Sequence, residues 1–278
     1  KLYDKIYGRA FYRQELVNGV FVLGSIEYAD RRPLFNNSNF SFAQKDEIFE
    51  TNNPFNSSLS ADFFERHQAL LVNLSLRFRI KQKYWKYPDR KFIQGSKWPD
   101  LWVRYRRGIP ILGAESDFDL LSAEIIKSFD LGLVGTSYFN VEGGAFLSDG
   151  NLQFIDFKHF DGNQTAFANV RRYRTSFQLL PYYTHSTGSE YFEAHFNHYF
   201  KGFIWNKIPG LKTLGFQMVT GAHYLYTPEM NSYFEINVGI DNIGWGIFRF
   251  LRFDFVTGTN FENGWDTGFV IGFRIPGT

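Results

Sequence analysis

The chain of 278 residues has a formal net charge of +2, which provides no basic footprint for nucleic-acid binding. It contains no cysteine, so disulfide bonds, thiolate metal sites and cysteine nucleophiles are excluded. Aromatic residues make up 20% of the sequence, yet the mean hydropathy is only −0.28 and no apolar run is long enough for a transmembrane helix. The alternating strands of a membrane β-barrel reconcile many aromatic residues with a low average hydropathy.

The first predicted element is a hairpin with strands at 5–16 and 19–29. Asn18-Gly19 between them is typical of a two-residue type I′ turn. Residues 31–64 are rich in Asn and Ser with Phe interleaved. We interpret them as a long loop outside the membrane rather than a linker, because the Phe side chains need a surface to pack on.

The clearest alternation lies in residues 67–80. One parity is apolar from Leu70 to Ile80, and the other ends in polar side chains. These polar residues are Asn73, Ser75, Arg77 and Arg79. In a barrel this polar face lines the lumen.

Residues 81–99 are basic and aromatic. They are either a solvated loop with Tyr84, Trp85 and Tyr87 at the membrane interface, or a contact for lipopolysaccharide or anionic lipid, whose phosphates attract Lys and Arg. Strands are then predicted at 101–107, 117–129 and 132–141. A short helix is the alternative at 117–129, because Phe118, Leu121 and Ile125 also fit a helical face.

Residues 146–172 interrupt the strand pattern. The most irregular part, 151–165, mixes charged and aromatic residues without a sustained period. Its candidate functional residues are Asp156, Lys158, His159, Asp161 and Asn163. A carboxylate-assisted base or a metal site is one hypothesis, but the spacing matches no known ligand pattern. We favour a loop that enters the barrel lumen or mouth and is held there by Lys158 and Asp161.

Six more strands are predicted, at 175–183, 190–200, 213–226, 231–240, 247–257 and 265–275. In 190–200 one parity is polar and the other aromatic, with Glu193, His195 and Asn197 on the polar side. In 247–255 the apolar parity slips by one residue, which predicts a β-bulge.

Ten polar residues are predicted to line the lumen: Arg77, Arg79, Arg104, Arg106, Glu193, His195, Asn197, Glu235, Arg252 and Asp254. The first four could form a basic ladder that selects anions. We favour instead that these arginines pair with Glu193, Glu235 and Asp254 across the interior.

The histidines provide weak evidence for chemistry. His195 and His198 lie three apart on a strand and therefore point to opposite faces, so they cannot bind one metal ion. His195 and Asn197 allow a hydrolase site on the barrel wall, but no Ser stands at a matching position and Gly-x-Ser-x-Gly is absent. We predict no catalytic residue, no metal ion and no cofactor.

Several stretches resemble the C-terminal barrel of an uncharacterised family of Bacteroidetes outer-membrane proteins, whose members carry an N-terminal carboxypeptidase-regulatory-like β-sandwich. The similar stretches are 18–36, 156–165, 179–187, 195–203, 206–209 and 239–250. The resemblance implies a β-barrel in the outer membrane and no assigned activity. The β-sandwich domain is not in this sequence, and Lys1 rather than Met comes first, so we expect part of a longer protein.

The chain is also similar to the BamA-type assembly barrels, in which a long loop before the last strands reaches into the lumen. Those loops carry an Arg-Gly-aromatic tip, whereas this chain has K-H-F-D-G-N at 158–163.

These observations predict an all-β protein over residues 1–278: an antiparallel transmembrane β-barrel of about 12–16 strands, complete or the C-terminal part of a larger one. We expect a structural or accessory, non-enzymatic component of an outer-membrane complex for protein or lipid export or assembly. Its expected partners are the lipid bilayer, lipopolysaccharide and other envelope proteins. The alternatives are an outer-membrane hydrolase around His195 and Asn197, and a soluble carbohydrate-binding β-sandwich.

Overall fold

The computed structural model describes residues 3–34, 65–163, 165–169, 173–246, 248–262 and 264–273. This part contains the strands β1 (Tyr3–Val17), β2 (Val20–Pro33), β3 (His67–Arg79), β4 (Lys83–Lys86), β5 (Lys91–Gly95), β6 (Asp100–Gly108), β7 (Asp117–Asp130), β8 (Thr136–Asn151), β9 (Phe167–Asn169), β10 (Glu190–Tyr199), β11 (Gln217–Thr227), β12 (Asn231–Trp245), β13 (Phe248–Thr259) and β14 (Trp265–Phe273). One-turn 3₁₀ helices occupy Gly132–Val134, Phe154–Asp156, Trp205–Lys207 and Lys212–Leu214. Strands account for 65% of the structure, so the predicted all-β class is confirmed.

Twelve strands form one sheet in the order β1-β2-β3-β6-β7-β8-β10-β11-β12-β13-β14-β9, and β4 and β5 form a separate hairpin. Neighbouring strands are antiparallel except β14 and β9, which are parallel. Within the described residues no pairing joins β1 to β14, so closure into a barrel stays a prediction.

The strands predicted at 67–80, 117–129 and 190–200 are confirmed to within one residue at each end. The helix alternative at 117–129 is wrong. The predicted bulge is also confirmed, since Arg249 pairs with Gly244 and Leu251 with Ile243, leaving Phe250 as the extra residue.

Other boundaries differ from the prediction. The strand at 175–183 is wrong, because this stretch is irregular and buries Phe177 and Leu180. β8 continues to Asn151, so the segment predicted at 146–172 is instead 152–189. β2 runs to Pro33, and most of the loop predicted at 31–64 lies outside the described residues. The first turn is not type I′, because only Gly19 of Asn18-Gly19 has a positive φ.

The two faces of the sheet differ in chemistry. On β10, Tyr191, His195 and Asn197 are at most 4% exposed, whereas Phe192 and Phe196 on the opposite side are 41% and 45% exposed. Residues paired across an antiparallel sheet point to the same side, so the register extends both sides along the sheet. We call the side of His195 the polar face and the side of Phe192 the apolar face.

We call residues 152–189 the covering segment, and the described part of this segment packs on the polar face. Phe160, Phe177 and Leu180 of this segment form an apolar cluster with side chains of the sheet. These side chains are Tyr191, Leu225 and Tyr233. Farther along, Tyr173 packs on Val256 and Val270. The buried core therefore lies between the covering segment and the polar face.

We predict that Phe177→Ala lowers the free energy of unfolding by about 3–5 kcal/mol, because a fully buried ring leaves a cavity. Phe192→Ala, on the apolar face, should cost less than half as much. The measurement is urea unfolding of the purified protein, followed by tryptophan fluorescence. A larger loss for Phe192→Ala than for Phe177→Ala would contradict this assignment of the core.

Candidate functional site

The polar face contains all ten residues predicted to line the lumen. They come from β3, β6, β10, β12 and β13, and the strand register turns them to the same side. The structure does not gather them into one cluster. It divides them among separate polar contacts, several of which involve the covering segment.

Asp156 is the first contact between the covering segment and the sheet. Its carboxylate is fully buried and accepts hydrogen bonds from Arg31 on β2, at 2.7 and 3.1 Å. Arg106 on β6 donates to the same carboxylate. One buried anion thus balances two cations on the sheet. Removal of the anion would leave two cations without their counter-charge, which is strongly destabilising.

Lys158 forms the second contact with the sheet, and its charge is opposite to that of Asp156. Glu124, Glu142 and Glu193 pair side by side on β7, β8 and β10. Like charges in such a row repel. The Lys158 ammonium lies 2.9 Å from Glu142 and 2.8 Å from Glu193. Arg104 contacts Glu124 and is 3.6 Å from Glu142, so two cations stabilise three carboxylates.

These surroundings set the charge states of two residues in the covering segment, Lys158 and His159. Burial alone would lower the pKa of Lys158, but attraction to Glu193 and Glu142 outweighs burial and raises this pKa above its ordinary value. Burial lowers the pKa of His159 to about 4. Lys158 is therefore charged at neutral pH and His159 is neutral.

Two further contacts hold the backbone of the covering segment. The Glu235 carboxylate accepts hydrogen bonds from the N–H groups of Gln178 and Leu179, at 2.7 and 2.9 Å. The Asn197 side chain donates to the carbonyl of Arg174 at 3.2 Å. These bonds satisfy backbone groups in a stretch that belongs to no strand.

A buried hydrogen-bonded chain crosses four strands under the covering segment. His195 Nδ1 lies 2.8 Å from His223 Nδ1, and His223 Nε2 lies 3.3 Å from Asn237 Oδ1. Asn237 then donates to Asp254 at 2.9 Å, and Asp254 accepts from Arg252. Because the two Nδ1 atoms face each other, one ring must donate and the other accept.

His195 is the residue on which the hydrolase alternative rests. The ring of Phe177 covers it at 5.0 Å, and its Nδ1 faces another histidine. Its Nε2 lies 3.7 Å from the Glu193 carboxylate. His198 points to the apolar face, as predicted, and bonds Ser137 at 2.8 Å and the Val134 carbonyl at 3.2 Å. That pair has no carboxylate to orient the histidine. In the described ranges, no group of three or more His, Cys, Asp or Glu residues is arranged to bind a metal ion.

The predicted ion pairs of the four arginines are wrong. Arg77 and Arg79 pair with Asp100, Arg104 pairs with Glu124 and Glu142, and Arg106 pairs with Asp156. Glu193 instead pairs with Lys158, Glu235 accepts backbone N–H groups, and Asp254 pairs with Arg252. Cross-strand ion pairs depend on strand order and register, and the alternation within one strand contains neither.

Among the predicted loop residues, Lys158 ties the covering segment to the sheet as expected, but Asp156 is the anionic anchor rather than Asp161. Asp161 accepts a hydrogen bond from the backbone N–H of Phe177 through its own carbonyl. His159 bonds Ser186 at 2.7 Å, and Asn163 forms a local turn with Thr165. Arg31 was not among the predicted site residues, although it lies on the same parity as Glu27 and Ala29.

The fold and the buried contacts define an all-β protein whose single large sheet is filled on its polar side by its own connecting segment. Residues 1–240 match the C-terminal domain of the family of unknown function DUF5686, and the chain belongs to this family. The resemblance to an uncharacterised family is confirmed to that extent. The search of curated proteins finds no match to the chain. Among the described residues, no helix is long and apolar enough to cross a membrane.

We predict that Asp156→Asn lowers the free energy of unfolding by about 3–5 kcal/mol, because two guanidinium groups lose their buried counter-charge. Asp30→Asn is the matched control, since Asp30 pairs with the partly exposed Arg32 and Arg66 and should cost at most about 1 kcal/mol. Hydrogen exchange should also increase in residues 152–163 of Asp156→Asn only. Equal losses in the two variants would contradict the anchoring role.

A second prediction concerns Gly221, which lies under the histidine chain. A methyl group there would be 2.2 Å from Asn237 Oδ1, 3.0 Å from His223 Nε2 and 3.1 Å from Asn197 Oδ1. Gly221→Ala should therefore disrupt the chain and cost about 1–3 kcal/mol, the range for overpacking a core. Gly24→Ala, where nothing lies within 4 Å, should be neutral. Urea unfolding measures both, and an equally neutral Gly221→Ala would show that the polar chain tolerates displacement.

Proposed function

We propose that this chain forms the wall of an outer-membrane β-barrel whose polar interior is partly filled by the covering segment. We further propose that it is a non-enzymatic structural or accessory component of an envelope complex for protein or lipid export or assembly. The lipid bilayer, lipopolysaccharide and other envelope proteins are its proposed partners. Bacterial origin in the Bacteroidetes and kinship with BamA-type barrels belong to the same proposal.

The observation that carries the proposal is the distribution of side chains on the sheet, which is the reverse of that in a soluble protein. On the polar face, charged side chains such as Glu193, Glu235 and Asp254 are buried, and the four predicted lumen arginines of β3 and β6 are partly buried. Large apolar side chains on the other face are more than a third exposed. The exposed apolar-face residues include Ile26, Leu74, Val103, Leu121, Phe192, Val238, Phe255 and Phe269. A soluble protein seldom leaves such a continuous apolar surface uncovered. Hydrocarbon tails are the natural solvent for it.

Strand lengths also fit a bilayer. The eleven long strands of the sheet contain 9 to 16 residues each. About 9–11 residues are enough for a tilted strand to cross the hydrocarbon core. Each long strand can therefore span the membrane, with residues to spare at the rims.

Substitutions on the apolar face test the membrane location. Val238→Arg lies in the middle of β12 on the apolar face and should cost about 2–4 kcal/mol in a bilayer, because a charge is placed among lipid tails. Leu133→Arg, in the turn after β7, is 89% exposed and should have little effect. Folding into lipid vesicles, followed by heat-modifiable gel migration, measures both variants. A soluble carbohydrate-binding sandwich would instead dissolve without detergent and tolerate Val238→Arg.

The hydrolase alternative has its own readout. Purified protein should show no phospholipid or ester hydrolysis above a heat-denatured control. An activity that is present in the wild type and lost in His195→Ala would overturn the non-enzymatic role. Purification in mild detergent with stable co-purifying envelope chains, unchanged in His195→Ala, would favour the accessory role.

A further inference from the structure

Residues 81–98, which we call the basic hairpin, contain β4 and β5 and connect β3 to β6. The hairpin is fixed to the end of the sheet. The Asn18 side chain donates to the Gln82 carbonyl at 2.9 Å, and Lys91 lies 2.7 Å from Glu15. Lys127 donates to the Trp98 carbonyl at 3.2 Å. These contacts hold the hairpin in a defined place next to the first turn.

The hairpin has a strong charge imbalance. It contains six basic residues and one acidic residue, Asp89, whereas the whole chain is nearly balanced. The basic residues are Lys81, Lys83, Lys86, Arg90, Lys91 and Lys97. The other long connection at this end, residues 200–216, adds three lysines and no acidic residue. This end of the sheet therefore presents an excess of positive charge.

Aromatic side chains stand between these cations. Tyr84, Trp85, Tyr87, Phe92 and Trp98 are all more than 40% exposed. Tyr and Trp favour the headgroup level of a membrane, where one part of the ring is in contact with lipid and the other with water. Lys91 lies 4.3 Å from the Tyr84 ring centre and Lys81 5.3 Å from that of Trp98, so cations and rings already lie together.

The position of the hairpin fits a membrane surface. It begins where the apolar side chains of β3 end, at Phe78 and the 40% exposed Ile80. The chain re-enters the sheet at Leu101 and Val103, which lie on the same apolar face. The hairpin thus occupies the rim between the apolar face and water.

The lengths of the connections between strands indicate which membrane surface lies next to the hairpin. The two longest stretches of chain between the long strands, 34–66 and 152–189, both start and finish at the opposite end of the sheet, which also has the short connections 109–116, 228–230 and 260–264. The hairpin shares its own end with the shorter connections 18–19, 131–135, 200–216 and 246–247. Outer-membrane barrels place short turns in the periplasm and long loops outside. The inner, phospholipid leaflet is then adjacent to the hairpin, rather than the lipopolysaccharide leaflet.

We propose that the basic hairpin binds the phosphate groups of anionic phospholipids at the periplasmic surface of the outer membrane. This inference rests on the proposed membrane location. Lysine and arginine side chains attract the phosphates, and the aromatic rings insert among the headgroups. The hairpin would anchor this rim of the sheet and fix its depth in the bilayer.

The test uses the full chain in zwitterionic detergent micelles. Because the chain has no cysteine, Tyr87→Cys provides a single labelling position for an environment-sensitive fluorophore. Phosphatidylglycerol, phosphatidylcholine and lipid A are titrated separately. We expect phosphatidylglycerol to half-saturate the signal at a concentration about tenfold lower than phosphatidylcholine does, as electrostatic attraction to several cations implies.

Two charge variants provide the comparison. Lys83→Gln with Lys86→Gln should reduce the preference for phosphatidylglycerol by about fivefold or more. Arg32→Gln with Arg66→Gln removes the same charge at the opposite end and should leave the preference unchanged. Equal responses to phosphatidylglycerol and phosphatidylcholine, or equal losses in both variants, would overturn the proposal. A stronger response to lipid A would overturn the choice of phospholipid.

Heat-modifiable migration of each variant separates this proposal from the proposed function. A protein that folds into vesicles without a phosphatidylglycerol preference contradicts the hairpin proposal alone. A wild-type protein that does not insert into vesicles contradicts both.

Discussion

The rest of the structure depends on the ion pairs that Asp156 and Lys158, two residues of opposite charge, form with the sheet. The two residues are separated by one position in the chain, yet Asp156 contacts arginines on β2 and β6, and Lys158 contacts glutamates on β8 and β10. Each charge would be expensive to bury alone. A shift of the covering segment toward β10 would bring Asp156 to the glutamates, and a shift toward β2 would bring Lys158 to the arginines. The segment therefore has one favourable position.

This position gives the sheet its core. A polar face with a row of glutamates and a chain of histidine, amide and carboxylate groups cannot bury apolar area by itself. The covering segment supplies Phe160, Phe177 and Leu180, and these fill the space above Tyr191 and Leu225. It also brings backbone N–H groups to Glu235, which has no cation partner among its described contacts. Apolar packing and polar satisfaction are thus achieved by the same segment, and a variant that weakens one should weaken the other.

The sequence predicts the strands well because alternation is a local property. Residues 67–79 and 190–199 show their two faces without any knowledge of their neighbours. Prediction of the partners of buried charges requires strand order and register. The ion pairs of Arg104 and Arg106 could therefore not be predicted from the sequence. The wrong strand at 175–183 has a related cause: Phe177 and Leu180 are apolar because they face the sheet from above, and spacing alone does not distinguish this from a strand. The anchor Asp156 was among the candidates, but its arginine partner on β2 was not.

The side of the sheet on which the covering segment lies also bears on the choice between a membrane barrel and a soluble sandwich. A soluble sandwich buries its apolar faces against each other and leaves polar faces in water. Here the chain's own connecting segment covers the polar face, and Phe192, Val238 and Phe255 on the other side are left exposed. A soluble protein would gain far more by covering the apolar side, at about 25 cal/mol for each Å² removed from water. This arrangement supports the proposed membrane location, because hydrocarbon tails would cover the apolar side and the strands are long enough to span them.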